Sequence, residues 1–585
     1  MPSSIITSNS LLAIDVGAAN TRAVFFDVIE GEYRFVASGV APSAAEAPFK
    51  DVAEGVRNAI ANLQTILGKT LLDSSRNIIT PTQANGAGVD ALVVTLSAGP
   101  TVKTVVVGLL KDVSLDSARQ LTETTYTRIM DTISLSDQRK PDQQIDSLMR
   151  LRPELVVIAG GTDGGASRSI QKLLDPIGLA SFLMPEEKRP SVLFAGNQKM
   201  EEEVKTLVGS LAASLHFSPN IRPSLDTEDI DPAERELARM IINIRKRQIK
   251  GVELLDLWSG GHILPTAYAT GRMVRFLSKV YGSQKGILSV DLGASAAVIA
   301  AGFKTKSTLK VLPQFSLGQN LVGILNYTTL ENILQWSSLD ISSGVLLDYL
   351  HQKSLYPASI PATQEDLAIS QAIAREALHL AMQTARKDFP KNIANIKPNL
   401  TPLFEPILAG GGALSDASRP GQSLLLLLDG IQPVGITTII LDQNNLLPLL
   451  GVAASQNNIL PVQVLESGAF LSLGTVVSPV VSAKYGASIL KAKLSYESGA
   501  EANIDLKFGS IETLPLANGE TGKLTLQVSR GADIGFGPGR GGVIPVSGGA
   551  LGVVFDGRGR PLNLPSDSVR RRELIKKWNW TLGGG

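Results

Sequence analysis

Continuous apolar runs alternate with amphipathic segments over most of the chain, and this alternation is typical of α/β proteins. Strands are predicted over LLAIDVG, TRAVFFDVI, YRFVASGVA, ALVVTLSAG and KTVVVGLL, because strands covered on both faces are made of such uninterrupted apolar residues. A helix is predicted over VAEGVRNAIANLQTIL, whose apolar residues recur at helical spacing. We therefore expect residues 1–110 to form the N-terminal part of a first lobe.

Residues 111–250 alternate strand, glycine-containing loop and helix. The pattern occurs in ELVVIAGGTDGGASRSIQKLL and again in SVLFAGNQKMEEEVKTLV, whereas SLDSARQLTETTYTRIMDTI is predicted as one helix. Such alternation predicts a parallel sheet with helices outside it. This region is expected to be an α/β insertion.

The opening pattern recurs in GILSVDLGASAAVIAAGF, which begins at Gly286. Both copies run from an apolar strand through Asp-x-Gly and a turn of small residues into a second apolar strand. An internal repeat of one supersecondary unit predicts two related halves. The second lobe is expected over residues 251–475.

The helical pattern fades after residue 475. Alternating strands are predicted over ASILKAKLSYE, ANIDLKFG and GKLTLQVSR. They are followed by a stretch dense in glycine and proline and by a short basic helix, SVRRRELIKKW. Residues 476–585 are therefore predicted to form a separate all-β domain.

Composition excludes several classes of function. Lysine and arginine number 55 against 54 aspartate and glutamate, which argues against nucleic-acid binding driven by bulk charge. The 585 residues include no cysteine, so disulfides, thiolate nucleophiles and zinc–thiolate sites are excluded. The sequence predicts neither a membrane span nor a signal peptide. We expect a cytoplasmic protein.

The two hairpins carry the chemistry that the sequence predicts. Glycine at Gly17 and Gly293 lets backbone amides approach an anion closely, and such turns form anion-binding concavities. Asp15 and Asp291, at the strand ends, would hold Mg²⁺ between them through water. Two such hairpins facing one another would hold a triphosphate from both sides. The metal ligands and catalytic candidates are therefore Asp15 and Asp291.

Other polar and glycine positions complete the predicted nucleotide site. Asn20, Thr21 and Ser295 lie in or beside the hairpin turns, and the triple glycine Gly410, Gly411 and Gly412 follows a strand and would lie against adenosine. The implied cofactors are ATP and Mg²⁺.

A further glycine-rich loop, GGTDGG, lies between a predicted strand and a helix in the α/β insertion. Gly161, Thr162, Asp163 and Gly164 are candidates for anion or ligand binding at the helix start. Asp163 could hold a metal or a ribose hydroxyl. The alternative is a structural turn in which Thr162 or Asp163 caps the helix.

Three weaker motifs are set aside. LGKT at Leu67–Thr70 lacks the glycine that a P-loop needs, since that position is Leu63. GFGPGRGG contains Pro538 and has no helix after it, so a dinucleotide fold is not indicated. Asp442, between a strand and a short helix, is predicted more readily as a helix cap than as a functional group.

The order of these motifs resembles the actin-like ATPases, and SAGPTVKTVVVGL, ELVVIAGGTDGGA, VLFAGNQ and VDLGASAA, in that order, resemble the MutL family associated with glutamate mutase. The resemblance covers roughly residues 10–460 and leaves the β-rich tail outside. It implies an actin-like, ribonuclease H-like two-lobed ATPase fold. It also implies a chaperone-like ATPase whose protein partner is a cobalamin-dependent mutase that it reactivates or remodels.

The sequence departs from the actin-like pattern at its second hairpin, where Ser295 is followed by Ala296, Ala297 and Val298. Fewer hydroxyls should mean weaker stabilisation of charge in phosphoryl transfer. Nucleotide binding with weak or no hydrolysis therefore stays open. The alternative function is a self-associating, filament-forming or scaffold protein, and a small-molecule kinase is a weaker third, because no catalytic base is evident.

Overall fold

The structure is a computed structural model that describes residues 9–165, 167–281, 284–391, 393–415 and 417–584. The N-terminal region contains β1 (Leu11–Val16), β2 (Asn20–Ile29), β3 (Glu32–Pro42), α1 (Val52–Leu67) and β4 (Ala91–Leu96). The first three strands form an antiparallel meander, and β4 lies parallel to β1. The α1 helix begins where the Asp51 side chain accepts the Ala53 amide and ends at Gly68 in the left-handed conformation.

The α/β insertion is a doubly wound domain with a single parallel sheet. Its elements are β5 (Val102–Gly108), α2 (Asp116–Thr122), β6 (Thr127–Ser134), α3 (Pro141–Leu151), β7 (Leu155–Ala159), α4 (Ser167–Leu183), β8 (Ser191–Phe194), α5 (Glu201–Val204), β9 (Ser214–Phe217) and α6 (Asp231–Gln248). The helix α7 (Val252–Trp258) follows them and packs against α1 and β4 of the N-terminal region. The strand order is β6-β5-β7-β8-β9, and every neighbouring pair is parallel. Apolar clusters cover both faces of this sheet, as parallel sheets require.

Two features of the insertion differ from what the apolar pattern indicated. β5 pairs with β6 and β7 and so belongs to this sheet, although its residues precede the boundary expected at residue 110. The single helix predicted over residues 114–133 is wrong in its second half. There, the β-branched residues of TRIMDTIS form β6, because such side chains pack better in a strand than against a helical turn.

The second lobe repeats the topology of the first. The chain from residue 263 to residue 478 contains β10 (Ile263–Pro265), α8 (Thr266–Val280), β11 (Gly286–Leu292), β12 (Ala297–Gly302), β13 (Ser307–Leu312), α9 (Leu330–Leu334), α10 (Ser343–Leu355), α11 (Gln364–Ala385), β14 (Phe404–Gly410), α12 (Gly412–Ser415), α13 (Pro420–Gly430), β15 (Gly435–Leu441), α14 (Leu446–Ala453), α15 (Ile459–Glu466) and β16 (Leu471–Ser478). β10 adds to β4, which gives the first sheet the order β3-β2-β1-β4-β10; the order β13-β12-β11-β14-β15 matches it strand for strand. The predicted two-lobed actin-like fold is confirmed.

The C-terminal region contributes to two sheets. Its elements are β17 (Ser488–Tyr496), β18 (Glu501–Lys507), β19 (Ile511–Leu514), β20 (Thr521–Val528), β21 (Gly542–Ser547), β22 (Val553–Asp556) and α16 (Ser568–Thr581). Four of the strands form a sheet of their own in the order β18-β17-β20-β21, whereas β22 and β19 continue the sheet of the second lobe beyond β16. The β domain is therefore joined to the second lobe through main-chain hydrogen bonds.

Two helices, α8 and α14, lie in contact between the lobes. A Cβ atom on Gly451 of α14 would lie 2.1 Å from the carbonyl oxygen of Ala269 in α8, so this glycine sets the close approach of the two helices. Apolar residues of both lobes form one cluster around these helices. Among the described residues, no helix has the length and hydrophobicity needed to cross a membrane.

Candidate functional site

A cleft of about 730 Å³ lies between the two lobes. Both hairpin turns line it, as do Gly411 and Gly412 of the triple glycine. Its volume is in the range of small-molecule sites in proteins, about 300–1,000 Å³. The structure therefore brings the two Asp-x-Gly turns, which lie nearly half of the chain apart in sequence, to a single cavity between the lobes.

The first hairpin places its polar side chains according to strand alternation. The Gly17 amide donates to the Asn20 carbonyl at 3.0 Å and closes the turn, and a Cβ on Gly17 would lie 2.7 Å from that oxygen. Asn20 and Arg22 line the cleft. Thr21 does not, because successive strand residues point to opposite faces. Its hydroxyl is buried and has no hydrogen-bond partner among the described residues.

The Asp15 carboxylate is held by three side chains from three elements. Its Oδ1 accepts hydrogen bonds from Thr95 at 2.6 Å and from Thr266 at 3.1 Å, and its Oδ2 accepts one from Asn445 at 2.8 Å. Thr266 is the first residue of α8, and Asn445 immediately precedes α14. Burial raises the pKa of Asp15, and the three hydrogen bonds act against that rise. Asp15 therefore ties the first hairpin to both interlobe helices.

Asp291, the corresponding residue of the second hairpin, lines the same cleft with a freer carboxylate. None of the hydrogen bonds between described residues involves its side chain. Burial raises the pKa of Asp291 to about 7, and the negative charges of Asp15 and Asp442 add to that rise. An unpartnered carboxylate beside other acidic groups is the chemistry that a divalent cation stabilises.

The turn of the second hairpin reaches across to the first lobe. The Gly293 amide donates to the Ala296 carbonyl at 3.2 Å. The Ser295 hydroxyl donates to the Ser97 carbonyl at 2.8 Å, which joins the two lobes at the cleft. Ser295 thus lines the cleft, with its hydroxyl hydrogen already donated within the protein.

The triple glycine allows close backbone packing beside Asp291. Gly411 has a φ of +86°, and a Cβ there would lie 2.6–2.7 Å from backbone atoms of Leu292. A Cβ on Gly410 would lie 3.6 Å from the Asp291 Oδ2. Gly410 therefore lies beside the Asp291 carboxylate without lining the cleft, whereas Gly411 and Gly412 line it.

Asp442 acts as a helix cap. Its Oδ1 and Oδ2 accept the amides of Leu446 and Leu447 at 2.8 and 2.7 Å, at the start of α14. Burial raises the pKa of Asp442 to about 6. Asp442 does not line the cleft, but its negative charge raises the pKa of Asp291.

The GGTDGG loop lies outside this cleft, at the carboxyl end of β7 in the insertion. The Gly164 amide donates to the Asn197 Oδ1 at 3.0 Å, and the Asn220 Nδ2 donates to the Asp163 Oδ1 at 2.9 Å. Gly161, Thr162, Asp163 and Gly164 are thus brought together with Asn197 and Asn220, apart from the hairpins. A ligand role for this loop stays a prediction.

Several cleft residues were not among the candidates predicted from the sequence. Tyr126 comes from the insertion, Arg22 from β2, and Asn445 from the turn before α14. Arg22 could have been found from strand alternation, since it lies two residues after Asn20. The cleft is also lined by helical residues and a proline-containing segment: Tyr349, Lys353, residues 357–364, Leu367, Ser370 and Gln371.

The residues present fit a magnesium nucleotide. Two aspartates face one cavity, one of them without a partner, beside glycine turns that allow phosphate to approach the backbone. No group of three His, Cys, Asp or Glu side chains with metal-ligand geometry occurs among the described residues. Mg²⁺ would therefore depend on water and phosphate oxygens for most of its ligands, as it commonly does at phosphate sites.

The raised pKa values predict a pH-dependent stability of the nucleotide-free protein. Asp291, with a pKa of about 7, keeps a proton near pH 6 that the unfolded chain, with a carboxyl pKa of about 3.9, has released. Stability must therefore fall as the pH rises through 7, by about 1 kcal/mol between pH 6 and pH 8. Unfolding measured by denaturant at pH 6, 7 and 8 without metal tests this.

The Asp291→Asn variant serves as the control for this measurement, because it removes the titrating group and keeps its size. The part of the pH dependence due to Asp291 is the difference between the two proteins. An equal pH dependence in both would contradict the assignment.

Comparison with known proteins matches most of the chain to one protein family. The sequence profile described as "MutL protein" matches residues 11–468. "Protein MutL" of Clostridium tetanomorphum is 22% identical over 364 residues, which are 56% of this chain and 74% of that protein.

Two solved structures with low similarity are a nucleotide-free acetone carboxylase and a nucleotide-free diol dehydratase-reactivating factor. The first has a TM-score of 0.31 and 12% identity, and covers 86% of this chain and 81% of its own. The second has a TM-score of 0.30 and 10% identity, and covers 79% of this chain and 100% of its own. At these TM-scores the fold rests on the strand order described above.

Proposed function

The chain belongs to the MutL protein family, and from that premise we propose that it is an ATP-binding, chaperone-like ATPase that remodels or reactivates a cobalamin-dependent mutase. The observation that carries the nucleotide part is the pair Asp15 and Asp291 at one cleft between two lobes of equal topology. The partner follows from family membership and from the resemblance of its motifs.

The two aspartates have different tasks in this proposal. Asp291, whose carboxylate has no hydrogen-bond partner among the described residues, binds the metal or its water shell. Asp15, whose two oxygens are engaged by Thr95, Thr266 and Asn445, fixes the first turn and adds negative charge. Mg²⁺ bound with the nucleotide would neutralise charge on the phosphate oxygens during transfer.

The glycine turns bind and orient the phosphates. Backbone amides of the Gly17 and Gly293 turns can point at anionic oxygens from opposite lobes. Gly411 and Gly412 leave room for the nucleoside, and the segment at residues 357–364 also lines the cleft. Arg22 supplies a positive charge beside the first turn, where a phosphate group would need one.

Because the cleft lies between the lobes, a nucleotide bound there can affect the lobe arrangement that a partner contacts. Asp15 contacts the starts of both interlobe helices, and Ser295 bonds to Ser97 across the lobes. A ligand held by both hairpins would favour one arrangement of the lobes over another, as in other hinge proteins. The partner would respond to that arrangement.

Turnover in the presence of the partner tests the proposal. Purified protein is mixed with Mg²⁺, ATP and a cobalamin-dependent mutase that has been inactivated while its own cofactor is bound. Phosphate release and mutase activity are both followed. We expect recovery of mutase activity that needs ATP and Mg²⁺, together with faster phosphate release. The Asp291→Asn variant is the negative control.

Two results would contradict this function. Absence of ATP binding at millimolar nucleotide would remove the nucleotide site. Binding and polymer sedimentation without turnover or reactivation would favour the scaffold or filament alternative, in which head-to-tail contacts extend without closing.

A further inference from the structure

One side chain of the α/β insertion reaches the interlobe cleft. Tyr126 immediately precedes β6, yet it lines the same cavity as Asp15 and Asp291, and it does so alone among the described residues of the insertion sheet and its helices. It is 4% exposed. The ring belongs to the apolar cluster shared by the two lobes, together with Ala267 and Val298.

The Tyr126 hydroxyl lies among the polar groups of the hairpins. Its polar neighbours are the Thr266 side chain and the Ala267 backbone. Burial raises the pKa of Tyr126, and the carboxylates of Asp291 and Asp15 raise it further, so the hydroxyl keeps its proton. The Thr266 side chain and the Ala267 backbone are both hydrogen-bonding partners of this hydroxyl. Because the side chain lines the cleft and the charges of both aspartates act on it, a ligand oxygen in the cleft can compete for the hydroxyl hydrogen.

The segment that carries Tyr126 is fixed to the second lobe. The Val311 amide of β13 donates to the Glu123 carbonyl at 2.8 Å. The Lys310 ammonium, itself 2% exposed, pairs with the Glu123 carboxylate at 2.5 Å and with Asp388. These contacts lie three residues before Tyr126, where α2 gives way to β6.

The same segment continues directly into the insertion sheet. The Val102 amide of β5 donates to the Tyr126 carbonyl at 3.0 Å. A second ion pair, Lys306 with Glu228 at 3.0 Å, joins the turn just before β13 of the second lobe to the loop before α6. The segment that carries Tyr126 is thus bonded both to β13 and to the insertion sheet.

We propose that the Tyr126 hydroxyl donates a hydrogen bond to the terminal phosphate of a bound nucleoside triphosphate and so couples the phosphate state of the ligand to the α/β insertion. The inference rests on the proposed function, since it assumes that a nucleotide occupies the cleft. The terminal phosphate is chosen because the charges of Asp15 and Asp291, the proposed metal-binding pair, both act on this hydroxyl.

The Tyr126→Phe variant tests this, with Tyr33→Phe as the matched control. Tyr33 is also buried and also loses a hydroxyl, which accepts a hydrogen bond from Asn457, but it does not line the cleft. Affinities are measured by calorimetry for a non-hydrolysable ATP analogue and for ADP, both with Mg²⁺. We expect Tyr126→Phe to bind the triphosphate about ten- to a hundredfold more weakly, which is the range for a hydrogen bond to a charged group. The affinity for ADP should change less than about twofold, and Tyr33→Phe should change neither affinity.

Amide hydrogen exchange provides a second measurement. Its dependence on the phosphate state of the nucleotide would not change in Tyr126→Phe if the hydroxyl had a purely structural role. In the wild-type protein the triphosphate analogue should slow exchange in residues 119–134 and 307–312 more than ADP does. In Tyr126→Phe this difference should be lost, while slowing at the hairpin turn, residues 292–297, remains.

The outcomes separate the two proposals. A wild-type protein that binds neither nucleotide overturns the proposed function. The role of Tyr126 alone is overturned if the wild-type protein binds both nucleotides and Tyr126→Phe either loses equal affinity for the ATP analogue and for ADP or behaves like Tyr33→Phe.

Discussion

If the proposed ATPase function is right, Asp291→Asn is expected to lower ATP turnover by about 10²- to 10³-fold, the effect of removing one preorganised electrostatic group from a phosphoryl-transfer site. The carboxylate lines the cleft without a hydrogen-bond partner among the described residues and is the better placed of the two aspartates to bind a cation. An amide keeps the shape of the side chain but loses the charge. Steady-state phosphate release at saturating Mg²⁺ measures the effect.

The same variant should be more stable than the wild-type protein at pH 8 without ligand. The ionised Asp291 then lies near Asp15 and Asp442, and its removal relieves that repulsion. Opposite signs for activity and stability are expected of a functional residue. Asp175→Asn, an exposed position on α4 outside the cleft, should leave both quantities unchanged. Wild-type turnover in Asp291→Asn would exclude Asp291 as the metal-binding group.

Asp556→Ala is expected to destabilise the protein by about 3–5 kcal/mol, the range for breaking a buried ion pair from one side. Asp556 ends β22 and has no solvent exposure. It accepts hydrogen bonds from Arg558 at 2.8 and 2.9 Å and from Arg560 at 2.6 Å. Burial alone would raise the pKa of Asp556, but the two guanidiniums outweigh it and hold the pKa well below the usual range.

The expected destabilisation is large because the substitution leaves buried charged groups without Asp556 as their partner. Arg558 also pairs with Asp429 at 2.6 Å, and Asp429 pairs with Arg375 of α11 at 2.9 Å. Without Asp556, Arg375 and Arg558 would share the Asp429 carboxylate, and Arg560 would lose its ion pair. These groups lie where the C-terminal region meets α11 and α13. We expect the unfolding transition of the second lobe to move down by about 10 °C.

The matched control is Asp505→Asn on β18, an exposed carboxylate paired with Lys507. Its melting temperature should equal that of the wild-type protein, because exposed pairs contribute little. A loss in Asp556→Ala no larger than in this control would show that the buried pairs do not stabilise the joint. The low pKa also sets the sign with pH: stability from Asp556 is present above the unfolded carboxyl pKa and is lost in acid.

Local patterns were sufficient for the two hairpins. In LLAIDVGAANTRAVFFD the apolar runs determine two strands, and Gly17 with small neighbours determines the turn, so the pairing of Asp15 with Arg22 follows within a few residues. The repeat at Asp291, which pairs with Val298, follows for the same reason. The family resemblance, which the profile match confirms, added the order in which these units combine into two lobes.

The partners of buried strands were not determined locally. KTVVVGLL reads as a buried strand whichever sheet it joins, and the structure places β5 beside β6 and β7. The strands β19 and β22 likewise join the sheet of the second lobe, although their residues belong to the β-rich tail. Hydrophobic periodicity reports that a strand is buried, but it carries no information on which strand covers its edge.

The sequence by itself determined the strand–turn–strand units, their aspartates and the alternation of elements in the insertion, because each of these depends on neighbouring residues. Only the tertiary structure decided that Asp15 and Asp291 share one cleft, that the Thr21 hydroxyl is turned away from it and that Tyr126 enters it from the insertion. Those facts depend on packing between segments that are far apart in the chain. Side chains meet there only after the lobes, the interlobe helices and the insertion have assembled around a common core.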